Sequence, residues 1–257
     1  MPSPSLAEVR ATGQPPEIFS RLNDEHWAGR AYMRRVSPGA TWIFARLGWP
    51  PNAVTAGFIV CGLAAGAVLT LGGLASAIVA AVLVQAYLLL DCADGELARW
   101  SGRTSSAGVY LDGIGHYLGE TALLAGLGIR AQGHLALAGG YVTAGLVAAV
   151  LAALVKAETD NVIVARAKAG LPVGYADAAL APRATGLARA RRLAAALRVH
   201  RAILAVELSL LILVAAVIDA FHGGLTATRA LTVACLVIAG ILVPAHLAAI
   251  VASRRLR

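Results

Sequence analysis

The sequence predicts an all-α integral membrane protein: six transmembrane helices in three hairpins, preceded by an N-terminal amphipathic interfacial helix. Three observations carry the prediction. Hydrophobic residues make up 58% of the 257-residue chain and charged residues 14%, more apolar side chain than a soluble fold can bury, so part of it must face lipid. The apolar residues gather in several uninterrupted runs, each of about 20 residues, the length that crosses a bilayer as a helix. The basic residues fall almost wholly on one side when those runs are laid out as spans.

Taken in order, residues 1–48 form an N-terminal juxtamembrane region. Glu17, Asp24 and Glu25 mix with Arg21, Arg30, Arg34 and Arg35, while Phe19, Trp27, Tyr32, Trp42, Ile43 and Phe44 supply apolar positions. Aromatics beside arginine fit a helix lying in the headgroup layer. Residues 1–38 lack an early apolar region, so the first hydrophobic segment is expected to stay in the mature protein. Pro50-Pro51 stops the interfacial helix, and Pro51 suits the first turn of the next one.

Residues 49–257 form the membrane domain. The first span is expected from Asn52 to about Leu71 and the second from about Ala75 to Trp100, with Gly72-Gly73 as the turn between them. Ser101-Gly102-Arg103-Thr104 makes a short polar loop, and Ser105 or Ser106 caps the third span, which runs to about Ile129. Gln132-Gly133 turns the chain into a fourth span, about Leu135 to Lys156. The fifth covers about Ala202 to Phe221, Gly223-Gly224 closes the hairpin, and the sixth runs from about Ala227 to Ala252. Between the fourth and fifth, residues 157–200 form a basic loop. Pro172 and Pro182 break helices there, and Leu187, Leu193 and Leu197 interleave with Arg183, Arg189, Arg191, Arg192 and Arg198, a pattern that suits an interfacial helix on anionic lipid.

With both termini on one side, that side holds every basic residue except Arg130 and Arg229. The bias places both termini in the cytoplasm of a cell (plasma) membrane protein. It also accounts for most of the net charge of +8. No aromatic-basic recognition module appears, so nucleic acid is excluded as a partner and membrane lipids are the expected one. Cys61, Cys92 and Cys235 stand singly, which implies neither a disulfide framework nor a zinc site.

Polar chemistry concentrates where the second and third spans meet. Carboxylates at bilayer depth are costly and mark a site by default. Asp91, Asp94, Gly95, Ala98 and Arg99 recur at three- and four-residue spacing, so they share a face of the second helix. Gly108, Asp112, His116 and Glu120 are four apart throughout and form a stripe on the third. A short loop makes the two helices antiparallel neighbours whose faces can meet. Three converging carboxylates repel one another unless cations bind between them, and hard oxygen ligands point to Mg²⁺ or Mn²⁺, with room for two ions. Gly95, Ala98 and Gly108 leave a groove in which a phosphate chain can approach the backbone.

The order D-x-x-D-G-x-x-A-R, then G, D and a final D at fixed gaps, is the signature that this stretch resembles. It belongs to the CDP-alcohol phosphotransferase (CDP-alcohol phosphatidyltransferase) family, and every fixed position but the last is matched. The resemblance implies a six-helix membrane fold from about Pro51 onward. It also implies transfer of the phosphoryl-alcohol part of a CDP-alcohol to the hydroxyl of an acceptor alcohol, with release of CMP, and a homodimer. It gives Asp91, Asp94 and Asp112 to the divalent cations and Gly95, Ala98, Arg99 and Gly108 to the CDP site, where Asp91 and Asp112 also lie. Asn52 and Thr55, in the Pro-Asn-x-x-Thr entry to the first span, resemble family positions near the nucleotide.

His116 is the departure, since the family carries an aspartate there as metal ligand and general base. A histidine can do either job: neutral imidazole ligates metals, and its ordinary pKa of about 6.5 suits a base near neutral pH. Glu120, one turn further along the stripe, is placed to accept a hydrogen bond from the second ring nitrogen and orient the ring. Two other functions are weighed: an inactive homologue that binds CDP-alcohols, and a small-solute transporter. The transporter is disfavoured because the polar residues cluster at one end of two helices and no inverted half-repeat is visible.

Overall fold

The computed structural model describes residues 4–16, 27–172, 199–253 and 256, and all regular structure among them is helical. The elements are α1 (Leu6–Gly13), a short π-helical stretch (Gly29–Met33) running into α2 (Arg34–Arg46), α3 (Pro51–Leu69), α4 (Gly73–Ser101), α5 (Ser106–Gln132), α6 (Gly140–Lys168), a 3₁₀ turn (Val199–Ile203), α7 (Ala205–His222) and α8 (Thr226–Ala252). Five of these are long and apolar enough to cross a membrane: α3, α4, α6, α7 and α8. Helix α5 is just as long but carries Asp112, His116, Glu120 and Arg130 along its length.

Local chemistry accounts for the helix boundaries. Helix α2 ends at Arg46, Gly48 turns the chain with φ +69°, and Pro51 opens α3 at a position where its missing N–H costs nothing. Ser105 caps α5, its hydroxyl accepting from the Gly108 amide at 3.0 Å. The α4–α5 connection is short because Gly102 takes a left-handed conformation (φ +65°) and closes the α4 C-terminus.

Helix α5 lies at the centre and packs on α3 and α6; α4 packs on α3 and α7, and α8 on α6 and α7. The α3–α5 seam is built from small residues. A Cβ added at Gly62 would lie 2.9 Å from Gly119 Cα, and one at Gly66 would lie 2.5 Å from the Ala122 carbonyl carbon, so the two backbones meet directly. Phe58 fills the space over Gly115. Gly115, Gly119 and Gly126 thus give α5 a packing face beside its polar stripe.

Two boundaries differ from expectation. Helix α6 starts at Gly140 instead of Leu135 and continues to Lys168, past the expected stop at Lys156. Residues 157–168 contain no glycine or proline, the next being Gly170 and Pro172, so polarity alone did not end the helix. Arg183, Arg189, Arg191, Arg192 and Arg198, and Glu17, Phe19, Arg21, Asp24 and Glu25, lie outside the described residues.

The described part of residues 1–48 is also more than a surface helix. Helices α1 and α2 pack against α4 and against each other. Their polar residues converge on Glu96, which is 1% exposed.

At the opposite end of the bundle, Arg130 is buried, its Nη1 donating to the Gly73 carbonyl at 2.8 Å and to Ser76 Oγ at 2.9 Å. There Asp219 accepts from the Ala227 and Thr228 amides and so caps α8.

Candidate active site

A cleft of about 460 Å³ opens where the end of α4 and the start of α5 meet the start of α3. Every residue singled out in the sequence except Glu120 lines it: Asn52, Thr55, Asp91, Asp94, Gly95, Ala98, Arg99, Gly108, Asp112 and His116. The i, i+3 and i+4 spacing on α4 and α5 produces this directly, because the tight Gly102 turn sets the two stripes face to face.

At one side of the cleft, Asp91, Asp112 and His116 come together, with one ligand atom from each lying within 4.8 Å of the others. His116 Nε2 stands 3.3 Å from Asp91 Oδ1 and 3.7 Å from Asp112 Oδ1. A set of two carboxylate oxygens and an imidazole nitrogen has the donor chemistry of a divalent-cation site.

Asp94 lines the same cleft from deeper in the fold. It is 7% exposed, and its Oδ2 accepts from Thr55 Oγ1 at 2.6 Å. Thr55 therefore acts on the cleft through Asp94. The open floor comes from Gly95, Ala98 and Gly108; a Cβ at Gly108 would lie 3.2 Å from Asn52 Oδ1, so that glycine lets α3 approach α5.

Three arginines, Arg34, Arg99 and Arg103, also line the cleft, and Arg99 Nε donates to the Gly13 carbonyl at 2.7 Å. The cleft thus combines carboxylates with arginines, a set suited to an anionic ligand accompanied by carboxylate-held cations.

The orientation of His116 corrects the sequence reading. The partner of its Nδ1 is the Tyr87 hydroxyl, at 2.6 Å, and not Glu120. Tyr87 is 3% exposed and packs edge-on against Phe58, their centroids 5.0 Å apart. Phe58 in turn lies 5.7 Å from the imidazole centroid, so the ring is held on two sides. Glu120 instead pairs with Lys156 Nζ of α6 at 2.9 Å, a partner that comes within its reach only through the α5–α6 contact.

Sequence reading missed Tyr87, Arg34 and Arg103. Tyr87 had a signal, standing four residues before Asp91 and so on the same face of α4. Arg103 sits in the polar loop joining the two stripes. Arg34 had none, because only tertiary packing brings α2 to the cleft.

No curated protein sequence matches the chain at a significant level. The profile of the CDP-alcohol phosphatidyltransferase family matches residues 49–254, from the entry of α3 to just past the end of α8. By that match, and with the cleft built from the residues of its own polar stripes, the chain belongs to the CDP-alcohol phosphatidyltransferase family.

Proposed function

We propose that the protein is a divalent-metal-dependent enzyme that transfers the phosphoryl-alcohol group of a CDP-alcohol to the hydroxyl of an acceptor alcohol, releasing CMP and forming a phosphodiester. The observation that carries this reading is the cleft itself, which is lined by three carboxylates, an imidazole, three arginines and the small residues Gly95, Ala98 and Gly108, with Asp91, Asp112 and His116 clustered. Asp91, Asp94 and Asp112 would hold Mg²⁺ or Mn²⁺, and two ions suit three carboxylates and a diphosphate. Bound cations supply neutralisation of the charge that builds on the transferring phosphorus and on the departing CMP.

The chain's own residues do the rest. Gly95, Ala98 and Gly108 let the diphosphate lie against the backbone, and Asn52 and Arg99 bound the nucleotide end. Thr55 holds the Asp94 carboxylate through its 2.6 Å bond. His116 acts as the base: with Nδ1–H donating to the Tyr87 oxygen, Nε2 presents a lone pair to the acceptor hydroxyl. It takes the proton as the acceptor oxygen bonds to phosphorus, and the bond from phosphorus to the CMP oxygen breaks with its electron pair on CMP. Glu120, paired with Lys156, bears on the site through α5 and not through the imidazole.

Helix α5 is read as a sixth span, its polar residues turned toward α4 and α6. Both termini and the cleft are then cytoplasmic and the protein is multi-pass in the cell membrane, with homodimers as the working assembly. A lipid alcohol such as diacylglycerol, or a small polyol or its phosphate, would serve as the alcohol partner.

A matrix of CDP-alcohols against acceptor alcohols, with Mn²⁺ or Mg²⁺ and product detection by mass spectrometry, tests the proposal on the purified full-length protein. Metal-dependent CMP release with a matching phosphodiester mass is the expected result. Retained CDP binding with no CMP release across the panel would establish a non-catalytic homologue instead.

A further inference from the structure

Glu96 lies in the motif stretch between Gly95 and Ala98, yet its side chain turns away from solvent and is 1% exposed. A buried carboxylate is tolerated only when well supplied with donors, and here they all come from the N-terminal segment. Oε1 accepts from Gln14 Nε2 at 2.8 Å, from Ser37 Oγ at 2.5 Å and from Arg34 Nη1 at 3.2 Å, while Oε2 accepts from Thr41 Oγ1 at 2.8 Å. Gln14 Nε2 also donates to the Arg34 carbonyl at 2.7 Å, which fixes the start of α2. Gly13 presses on the same residue, where an added Cβ would stand 3.1 Å from Glu96 Cβ.

These donors precede residue 49, the first residue of the family match, so nothing in the family signature accounts for them. Three neutral donors already serve the Glu96 carboxylate. The added guanidinium brings five N–H donors in a rigid fork, and Arg34 lines the substrate cleft as well as touching Glu96. A guanidinium at that position touches the carboxylate and borders the cleft into which an anion would come.

We propose that Arg34 is a further substrate-binding residue that grips the diphosphate of the CDP-alcohol, and that Glu96 is the positioning residue that docks the N-terminal segment and sets the guanidinium in place. The proposal rests on the cleft being the CDP-alcohol site. Arg34, Arg99 and Arg103 then supply the basic lining of the cleft that the phosphates enter.

The test uses the purified full-length protein with Mn²⁺, and calorimetric titration with CDP, CMP and cytidine. Arg34→Ala removes a charge-assisted bond to phosphate and should weaken CDP binding by at least about tenfold while leaving cytidine affinity unchanged. Arg34→Lys, which keeps a cation beside Glu96 but loses the fork, should lose several-fold. Glu96→Gln should weaken CDP binding less than Arg34→Ala, and should add little on top of it, because both act on one contact. Arg10→Ala, on the exposed side of α1, serves as the control and should bind as the parent does.

Parent-like CDP affinity in Arg34→Ala would overturn the proposal, as would an equal loss for CDP and cytidine. Where Arg34→Ala does not stay folded, parent-like CDP affinity in Arg34→Lys overturns it by itself. Unchanged CDP affinity in Glu96→Gln overturns the positioning role. Failure of the unmutated protein to bind CDP would instead overturn the reading of the cleft.

Discussion

Replacing Tyr87 with phenylalanine removes one oxygen and leaves nearly everything else in place. The ring remains buried against Phe58, so packing loss is negligible. What disappears is the 2.6 Å bond to His116 Nδ1. The imidazole then keeps its contact with Phe58 but gains freedom to rotate about its bond to Cβ. Loss of a hydrogen bond to a half-buried polar group costs about 1–3 kcal/mol, or about 5- to 150-fold at roughly 1.4 kcal/mol per factor of ten. Tyr87→Phe should therefore lower kcat for CMP release by about 5- to 150-fold, with KM for the CDP-alcohol little changed because the nucleotide wall is untouched. Stopped-time CMP assays on detergent-solubilised protein, paired with a thermal melt, make the measurement. A variant with parent-like kcat, or one whose loss appears wholly in KM, would refute the assignment of Tyr87 as the residue that orients His116.

Three further outcomes are expected. Asp112→Asn should cut turnover by at least about a hundredfold and raise the Mn²⁺ concentration needed for half-maximal activity, since it removes a carboxylate charge from the proposed cation site. Gly126→Ala should lower the melting temperature by several degrees: its new Cβ would stand 3.0 Å from the Gly66 carbonyl carbon, and overpacking costs about 1–3 kcal/mol. Gly240→Ala on α8, where an added Cβ meets nothing within 4 Å, should hold or raise it. Arg130→Met should also lower the melting temperature, because it strips the bonds to Gly73 and Ser76. Its CMP release measured well below that temperature should match the parent, as Arg130 lies at the far end of the bundle.

What could be read from the sequence was local. Hydropathy located the apolar spans, Pro51 and Ser105 marked helix starts through their own capping chemistry, and fixed helical spacing grouped eight of the ten named residues that line the cleft, Asn52 and Thr55 having come from the family pattern. What could not be read depended on distant partners. The contacts to Glu96 come from residues 82, 62, 59 and 55 positions away, and nothing near Glu96 announces them. Glu120 was matched with His116 because they are one turn apart, but side-chain reach across the α5–α6 interface gave it Lys156. Helix α6 outran its expected end because the chain stays helical where it turns polar, which hydropathy does not register.

The Glu96 contacts also impose an order on assembly. Gln14, Arg34, Ser37 and Thr41 leave the ribosome well before the carboxylate they bind, and α1, only eight residues long, is too short to be stable alone. The N-terminal segment therefore has no docking site until α4 has been made and inserted. One wall of the cleft is completed by the part of the chain that was synthesised first, and only after the first hairpin is in place.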